Sequence, residues 1–264
     1  MKHIFLIDLD GTIIGDITPQ IIMWELSKTQ SRKGGIKFDT KGLQEKLKTG
    51  HIVRPGFIEF FKYVKSLDHL IYVYTASEKT WANFIISQIE KAFDIKFERP
   101  VFTRHDCKLL NNQFIKSLKF ISKPLERSLK KKGISHLDLS KHVTIIDNTH
   151  VYNPSDQSNL VICPSYSYRH PENIASQISY DQFSQHIVPI NDLMIKYIPE
   201  YNAPTTDFWS FQKRTSIYYV NSITLMKQSM QTTKQDKFFF YLMRLVREHP
   251  RNVFAKYINR NLKL

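Results

Sequence analysis

Residues 3–12 read HIFLIDLDGT, and this stretch indicates both the fold and the position of a site. Residues 4–7 are uninterruptedly apolar, as is typical of a strand that a parallel sheet buries on both faces. Two carboxylates, Asp8 and Asp10, follow where the strand ends, and Gly11 permits a tight backbone approach. Ligands bind outside the carboxyl ends of parallel strands. The segment therefore predicts a buried strand that delivers two acidic side chains to a site.

Further apolar runs repeat this pattern along the chain. They cover residues 70–74 (LIYVY), 143–146 (VTII) and 160–163 (LVIC), and helical patterns lie at about 18–28, 57–67 and 79–92. Strands that alternate with helices indicate βαβ units, so we expect an α/β fold with a Rossmann-like parallel sheet flanked by helices. Thr75 and the pair Asp147 and Asn148 follow two of these runs, and they should reach the same edge of the sheet as Asp8.

Composition narrows the class of protein. The chain has 264 residues, enough for one sizeable core, and a net charge of +14, which favours anionic partners such as phosphoproteins or nucleic acid. Its cysteines, Cys107 and Cys163, form no C-x-x-C pair, which argues against a disulfide framework or a structural zinc site. No run approaches the ~20 apolar residues of a membrane span. We expect an intracellular protein, cytoplasmic or nuclear, whose Lys-, Ile- and Asn-rich composition would suit a large DNA virus.

The two carboxylates suggest phosphoryl transfer. Asp8 can attack phosphorus while Asp10 protonates the leaving oxygen, and a carboxylate nucleophile divides hydrolysis into two easier displacements. An acidic site needs a cation to accept an anionic phosphate, and hard oxygen ligands favour Mg²⁺. Thr12 can hydrogen-bond the loop into place. The alternative is an ordinary Asp/Gly turn, but a turn requires neither the preceding apolar strand nor a second carboxylate in this register.

The order of several motifs resembles a known superfamily. Residues 5–12 (FLIDLDGT) look like the first motif of the haloacid-dehalogenase superfamily. Residues 54–56 (RPG), 74–77 (YTAS) and 145–148 (IIDN) are similar to motifs of the phosphatases that act on the C-terminal domain of RNA polymerase II, the NLI-interacting-factor-like group. Lys116, nine residues after Cys107, matches the spacing to that group's motif lysine. The similarity spans about residues 3–165.

This resemblance implies a role for each matching residue. Asp8 would be the nucleophile and a Mg²⁺ ligand, and Asp10 the acid/base that also offers its backbone carbonyl to the metal. Asn148 would complete the metal site with Asp147 in support. The phosphoryl group would be bound by the following residues: Thr75, Ala76 and Lys116. The lysine role has alternatives nearby in the sequence: Lys108, Lys119 and Lys123.

The implied function is a magnesium-dependent phosphatase that acts on phosphoserine or phosphothreonine of a protein, such as an RNA polymerase II C-terminal-domain-like tail. A phosphatase for nucleic-acid ends or small metabolites is an alternative, because the first motif is shared across the superfamily. A binding or assembly protein that reuses the fold is a second alternative. Relatives of that kind usually lose an acidic motif residue, and this chain has lost none.

The chain departs from the group outside the motifs. We predict a core at residues 1–190 with a small insertion at about 16–53, and a basic, mainly helical C-terminal extension at 191–264. Residues 201–264 contain eleven Lys or Arg against three Asp or Glu. About fifteen residues also appear extra between Lys116 and Asp147.

Within the extension lies an aromatic and basic helical pattern. Its apolar residues are Phe238, Phe239, Leu242, Leu245 and Val246. Two interpretations stay open: the apolar side packs on the core with the charges outward, or the helix binds nucleic acid or a partner protein. The second interpretation predicts that a chain ending near Pro199 keeps its chemistry and loses salt-sensitive affinity for polyanions.

Overall fold

The apolar runs form one parallel sheet in the computed structural model, which describes residues 2–28, 35–134, 138–250 and 252–262. The strands are β1 (Ile4–Ile7), β2 (Leu70–Val73), β3 (Lys108–Leu110), β4 (Gln113–Ile115), β5 (Val143–Asp147) and β6 (Leu160–Ile162). The sheet has the order β2–β1–β5–β6, and β3 pairs with β4 in a separate antiparallel hairpin. Ile7 lies beside Val73 and Ile146, so β1, β2 and β5 end at one edge. The α/β fold class is confirmed.

Helices alternate with the strands along the chain and follow them, and the predicted ones are present. They are α1 (Thr18–Lys28), α2 (Thr40–Thr49), α3 (Phe57–Ser66), α4 (Lys79–Phe93), α5 (Leu118–Lys130), α6 (Leu139–His142), α7 (Tyr180–Gln185), α8 (Ile187–Tyr197), α9 (Phe208–Gln235), α10 (Phe238–Glu248) and α11 (Ala255–Asn261). The predicted helices near 18–28, 57–67 and 79–92 correspond to α1, α3 and α4. Among the described helices, none combines the length and apolar character needed to cross a bilayer.

Two elements correct the sequence prediction. The helical patterns of the sequence did not include α2, which forms within the inserted segment with Asp39 as its N-cap, accepting from the Gly42 N–H at 2.8 Å. The β3–β4 hairpin was also missed. It turns through Asn111 and Asn112, which both have positive φ angles of 48° and 60°, as the tight hairpin turn requires.

Contacts divide the chain into two compact units, each built from separate stretches. The sheet unit comprises residues 1–15, 53–167 and 233–264, and the helical unit comprises residues 16–52 and 168–232. These units differ from the predicted division at residue 190. The reason is that residues 16–52 pack with residues 168–232, whereas α10 and α11 pack with the sheet unit.

In the sheet unit, α10 packs against α3. The ring centroid of Phe239 lies 5.1 Å from that of Phe57 and 5.3 Å from that of Phe60, and all three rings are buried. Arg54 anchors the chain just before α10, because the buried Nε of Arg54 donates to Asp236 Oδ2 at 2.9 Å. The packing interpretation of the extension is therefore confirmed for α10, and binding of nucleic acid or a partner protein by this helix stays a prediction.

The helical unit has a separate apolar core. It joins Ile22 and Met23 of α1 with Ile190 and Met194 of α8 and with Phe211 of α9. Residues 168–232 contain five Lys or Arg and five Asp or Glu, whereas residues 233–264 contain eight against two. The positive charge of the C-terminal region therefore belongs to the sheet unit.

Candidate active site

The ends of three strands bring the predicted residues together at the carboxyl edge of the sheet. Asp8 follows β1, Thr75 comes shortly after β2, and Asp147 ends β5. A backbone hydrogen bond sets the position of Asp8 relative to β5, because the Asp8 N–H donates to the carbonyl of Ile146 at 2.9 Å. The pattern of apolar runs ending in polar residues had predicted this placement.

Lys116 lies at the centre of this edge. Its Nζ donates to Asp8 Oδ1 at 2.5 Å and to Asp147 Oδ2 at 2.7 Å, and the side chain is only 2% exposed. The rings of Tyr74 and Tyr152 lie next to each other near the ammonium, with centroids 5.7 and 5.6 Å from Nζ and 6.2 Å from each other. The alternative lysines, Lys108, Lys119 and Lys123, are all exposed. Geometry thus selects Lys116 among the candidates.

Hydrogen bonds to its backbone hold this lysine in position. The Lys116 N–H donates to the Val151 carbonyl at 2.8 Å, and its own carbonyl accepts from the Asn153 N–H at 3.0 Å. The hydroxyl of Tyr74 accepts from the Ser117 N–H at 3.2 Å and donates to the Asp106 carbonyl at 2.7 Å. The segment that carries the lysine is therefore fixed at both ends. Sequence reasoning assigned no role to Tyr74 or Tyr152.

Charge at the site is unbalanced. Burial raises the pKa of Asp8 to about 7, Lys116 opposes the shift, and Asp147 and Asp10 add to it. Burial alone would lower the pKa of Lys116, but Asp8 and Asp147 outweigh it and raise that pKa, so the ammonium stays charged. Three carboxylates thus surround one buried cation.

Asp10 is positioned by two hydroxyl groups. Its Oδ2 accepts from Ser77 Oγ at 2.6 Å and from Thr75 Oγ1 at 3.2 Å. Thr75 Oγ1 also accepts from the Ser77 N–H at 3.0 Å, while the Ala76 carbonyl accepts from Arg104 Nε at 2.8 Å. Ser77 lies within the second motif, but sequence reasoning assigned it no role.

The loop after β1 depends on a glycine. Gly11 has φ of +75°, and an added Cβ would lie 2.5 Å from Asn148 Nδ2. Thr12 is fully buried, and its Oγ1 donates to Asn148 Oδ1 at 3.2 Å and accepts from the Asn148 N–H at 3.1 Å. These two hydrogen bonds link the first and last motifs directly, and the supporting role of Thr12 stays a prediction.

The donor set fits a hard divalent cation. Oxygen donors lie on Asp8, on the Asp10 backbone and on Asn148, beside an excess of negative charge that one lysine does not balance. Asp147 differs, because Oδ2 contacts Lys116 and Oδ1 accepts from the N–H and hydroxyl of Thr149 at 2.8 and 2.7 Å. It therefore supports the site. Across the described ranges, no three His, Cys, Asp or Glu side chains form a metal cage.

At the carboxyl edge of the parallel sheet, a buried carboxylate pairs with a lysine beside a second carboxylate two residues on, an arrangement suited to phosphoryl transfer. Residues 3–193 match the model of one family, described as NLI interacting factor-like phosphatase, and the chain belongs to this family. The comparison with curated proteins finds no match. The roles of the individual residues stay predictions.

Proposed function

We propose that this phosphatase hydrolyses phosphoserine or phosphothreonine in a protein substrate, such as an RNA polymerase II C-terminal-domain-like tail, through a phospho-aspartyl intermediate. The observation that carries the chemistry is Lys116, which bridges Asp8 and Asp147 within 2.7 Å, with Asp10 beside them. Phosphoryl transfer requires mainly positioning and charge stabilisation from a protein, and this arrangement supplies both.

In the first step, a carboxylate oxygen of Asp8 attacks phosphorus and the bond to the leaving oxygen breaks. Because Lys116 donates to Oδ1, we assign the attack to Oδ2. Asp10 gives its proton to the leaving serine or threonine oxygen, and the hydroxyls of Thr75 and Ser77 hold it in place. The products are the free alcohol and phospho-Asp8.

In the second step, Asp10 acts as a base. It takes a proton from water, the water oxygen attacks phosphorus, and the bond from phosphorus to Asp8 breaks. Inorganic phosphate leaves, and both carboxylates return to their starting protonation states. Lys116 keeps its charge throughout, since its pKa is raised by its two carboxylate partners despite burial.

Mg²⁺ is the cofactor that this donor set favours. Asp8, the Asp10 carbonyl and Asn148 would hold it, and it would neutralise charge on the phosphoryl group. The cation would also replace the proton that burial favours on Asp8, so that the nucleophile is ionised at neutral pH.

Two features favour a peptide substrate. The family to which the chain belongs is one of NLI interacting factor-like phosphatases. The β3–β4 hairpin directly precedes Lys116, and it presents Leu109 and Leu110, which are 56% and 46% exposed. Apolar side chains beside a site suit the side chains of a peptide better than the polar body of a sugar phosphate.

The test is a substrate panel with Mg²⁺ and with EDTA. We expect Mg²⁺-dependent hydrolysis of p-nitrophenyl phosphate and of serine and threonine phosphopeptides. Asp8→Asn removes the nucleophile and should lower turnover by roughly 10⁴-fold or more. Asp68→Asn is the matched control, since this carboxylate is 74% exposed and pairs with Lys2 at the surface.

Full activity of Asp8→Asn would contradict the covalent route. Hydrolysis of 3′-phosphorylated DNA or of small metabolites, with phosphopeptides left intact, would instead favour the alternative substrate classes.

A further inference from the structure

A basic cleft lies in the sheet unit at some distance from the candidate active site. Its volume is about 850 Å³, and cationic residues make up more than half of its described lining: Lys65, Lys96, Arg99, Arg127, Lys131 and Lys132. One acidic residue, Glu98, lines it as well. We call this feature the basic cleft.

The basic cleft lies toward the amino end of the sheet. The Glu98 N–H donates to the Ile71 carbonyl near the start of β2, whereas the Thr75 N–H, at the catalytic edge, donates to the Phe102 carbonyl. The other wall is the end of α5, a helix of 13 residues that begins next to Lys116. At 1.5 Å per residue, the lining residues of this wall, from Pro124 to Lys131, lie about 10 to 20 Å along the helix axis from its start.

Glu98 organises part of the cleft. Its two carboxylate oxygens accept from Lys65 Nζ and Lys132 Nζ, each at 2.6 Å, and the residue is buried. Within the described ranges, Lys96, Arg127 and Lys131 make no salt bridge, and all three are exposed. The cleft therefore holds cations that its own carboxylate does not neutralise, and these are available to an anionic ligand.

The lining favours a peptide over nucleic acid. Single-stranded nucleic acid is usually bound by exposed aromatic rings on which bases stack. The aromatic lining residue, Phe97, is 1% exposed, and its ring packs against Phe61 and Phe57 with centroids 5.0 and 6.1 Å away. Pro100, Pro124 and the alkyl stems of the lysines instead offer apolar surface between the charges, which suits an extended peptide.

We propose that the basic cleft binds an acidic segment of the protein substrate, remote from the phosphorylated residue. This inference rests on the proposed phosphoprotein substrate. An extended peptide rises about 3.3 Å per residue, so a linker of about three to six residues spans the roughly 10 to 20 Å between the catalytic edge and the cleft. Binding at the cleft raises the effective concentration of the phosphorylated residue at Asp8.

Direct binding tests the cleft without catalysis. A fluorescent, unphosphorylated peptide that carries a run of glutamates is titrated with the full chain, and single-stranded and duplex DNA of equal charge serve as comparison ligands. We expect the triple variant Lys96→Gln/Arg127→Gln/Lys131→Gln to bind the peptide roughly tenfold or more weakly. The control removes equal charge at exposed lysines outside the cleft: Lys91→Gln/Lys123→Gln/Lys130→Gln.

Equal peptide binding by the triple variant and the wild type would overturn the proposal. So would tighter binding of DNA through the same three residues, which would make nucleic acid the occupant. Thermal melts of both triple variants exclude a loss caused by unfolding.

Kinetics then test the spacing. Phosphopeptides carry the acidic run either roughly two or about ten residues from the phosphoserine. We expect only the long spacing to lower KM, and the triple variant to lose that advantage while its turnover of p-nitrophenyl phosphate is unchanged. Equal KM values at both spacings would overturn the bridging geometry. If no phosphopeptide is hydrolysed while cleft-dependent peptide binding persists, the proposed function and the docking of its substrate at the cleft both fail, and only the binding of acidic peptides by the cleft stands.

Discussion

At the scale of single residues, Asp8 and Asp10 differ in their surroundings more than in their chemistry. Asp8 is 5% exposed and in contact with a buried ammonium, whereas Asp10 is less buried and accepts from two hydroxyls. Two carboxylates two residues apart can thus have separate roles, because the protein gives one a charged partner and the other neutral donors.

Replacement of Asp10 should separate proton transfer from nucleophilic attack. Asp10→Asn keeps the backbone carbonyl but loses the acid, so turnover of alkyl phosphates should fall roughly 10²–10⁴-fold. The defect should be smaller for an aryl phosphate, whose leaving oxygen needs less protonation. Ser77→Ala, which removes the hydroxyl 2.6 Å from Asp10, should show a weaker form of the same pattern. Equal defects for alkyl and aryl substrates would exclude Asp10 as the acid.

His3 lies at the opposite end of β1 and is buried in the neutral form. The Thr144 hydroxyl donates to the Val253 carbonyl at 2.6 Å, so the His3 Nε2, 2.9 Å from that hydroxyl, must carry the proton. Burial lowers the pKa of His3 to about 3, and His69 and His142 add to this effect. The folded protein therefore keeps His3 neutral at pH values below 6.5, the ordinary pKa of histidine, where the unfolded chain would bind a proton at this residue.

Because the pKa of His3 is lower in the folded state than in the unfolded chain, the stability of the folded protein should decrease in acid. The stabilising contribution of neutral His3 is complete above pH 6.5 and is lost progressively as the pH falls toward 3. Urea unfolding between pH 6.5 and 5 should lose about 2 kcal/mol more in the wild type than in His3→Gln. His105→Gln, at an exposed position, should behave like the wild type. Parallel curves for His3→Gln and the wild type would show that His3 does not cause the sensitivity.

At the scale of elements, α10 offers a sharp internal comparison. Phe239 is fully buried against α3, whereas its neighbour Phe240 is 40% exposed. Phe239→Ala should cost about 3–5 kcal/mol of unfolding free energy, and Phe240→Ala under about 1 kcal/mol. Chemical denaturation of both variants measures the difference. Similar small losses would mean that α10 is not part of the core.

The same packing changes the expectation for truncation. A chain that ends near Pro199 would expose the α3 surface that α10 covers, including Phe57 and Phe60. We therefore expect it to be insoluble or to melt far lower, and not to remain a competent phosphatase. A soluble and active truncated chain would contradict this.

The elements that the sequence predicted are those with strong local signals. β1 and α1 were placed correctly because an apolar run and a helical period are visible in one short window. The exposed hairpin gives no such signal, since β3 has no buried residue and its turn uses two asparagines. α2 shows only Leu43 and Leu47 as buried apolar positions, which is too few to reveal a period.

The candidate site was also largely predictable, because its residues stand at strand ends and match ordered motifs. The positions of Ser77 and Tyr152 were not, since a hydroxyl or a ring gains its role only through partners far away in sequence. Tyr152, for example, lies beside Lys116, which is 36 residues earlier in the chain. The unit boundaries were not predicted for the same reason. Ile22 and Ile190 belong to one core, and no local sequence pattern indicates that these distant segments pack together.

At the scale of the whole molecule, the residues of the candidate site all belong to the sheet unit, and the helical unit has its own core. Phe211, fully buried there, packs against Phe183 with centroids 5.0 Å apart. Trp209, two residues earlier on the same helix, is 80% exposed. This pair allows one core to be weakened without touching the other.

Phe211→Ala should destabilise the helical unit by about 3–5 kcal/mol and leave turnover of p-nitrophenyl phosphate at low temperature nearly unchanged. Trp209→Ala should alter neither. Urea titrations that follow helix content and activity in parallel would then give separate transitions for Phe211→Ala. A single shared transition would show that the two cores unfold as one.

The discontinuous make-up of the sheet unit has a consequence for biosynthesis. A ribosome delivers β6 and the complete catalytic edge while α10 is still about 75 residues from being made, since β6 ends at Ile162 and α10 begins at Phe238. At the usual elongation rates, the aromatic side of α3 stays uncovered for several seconds or longer on each nascent chain. Newly made chains should therefore depend on chaperones during that interval, and an arrest of translation before α10 should yield aggregates and no enzyme.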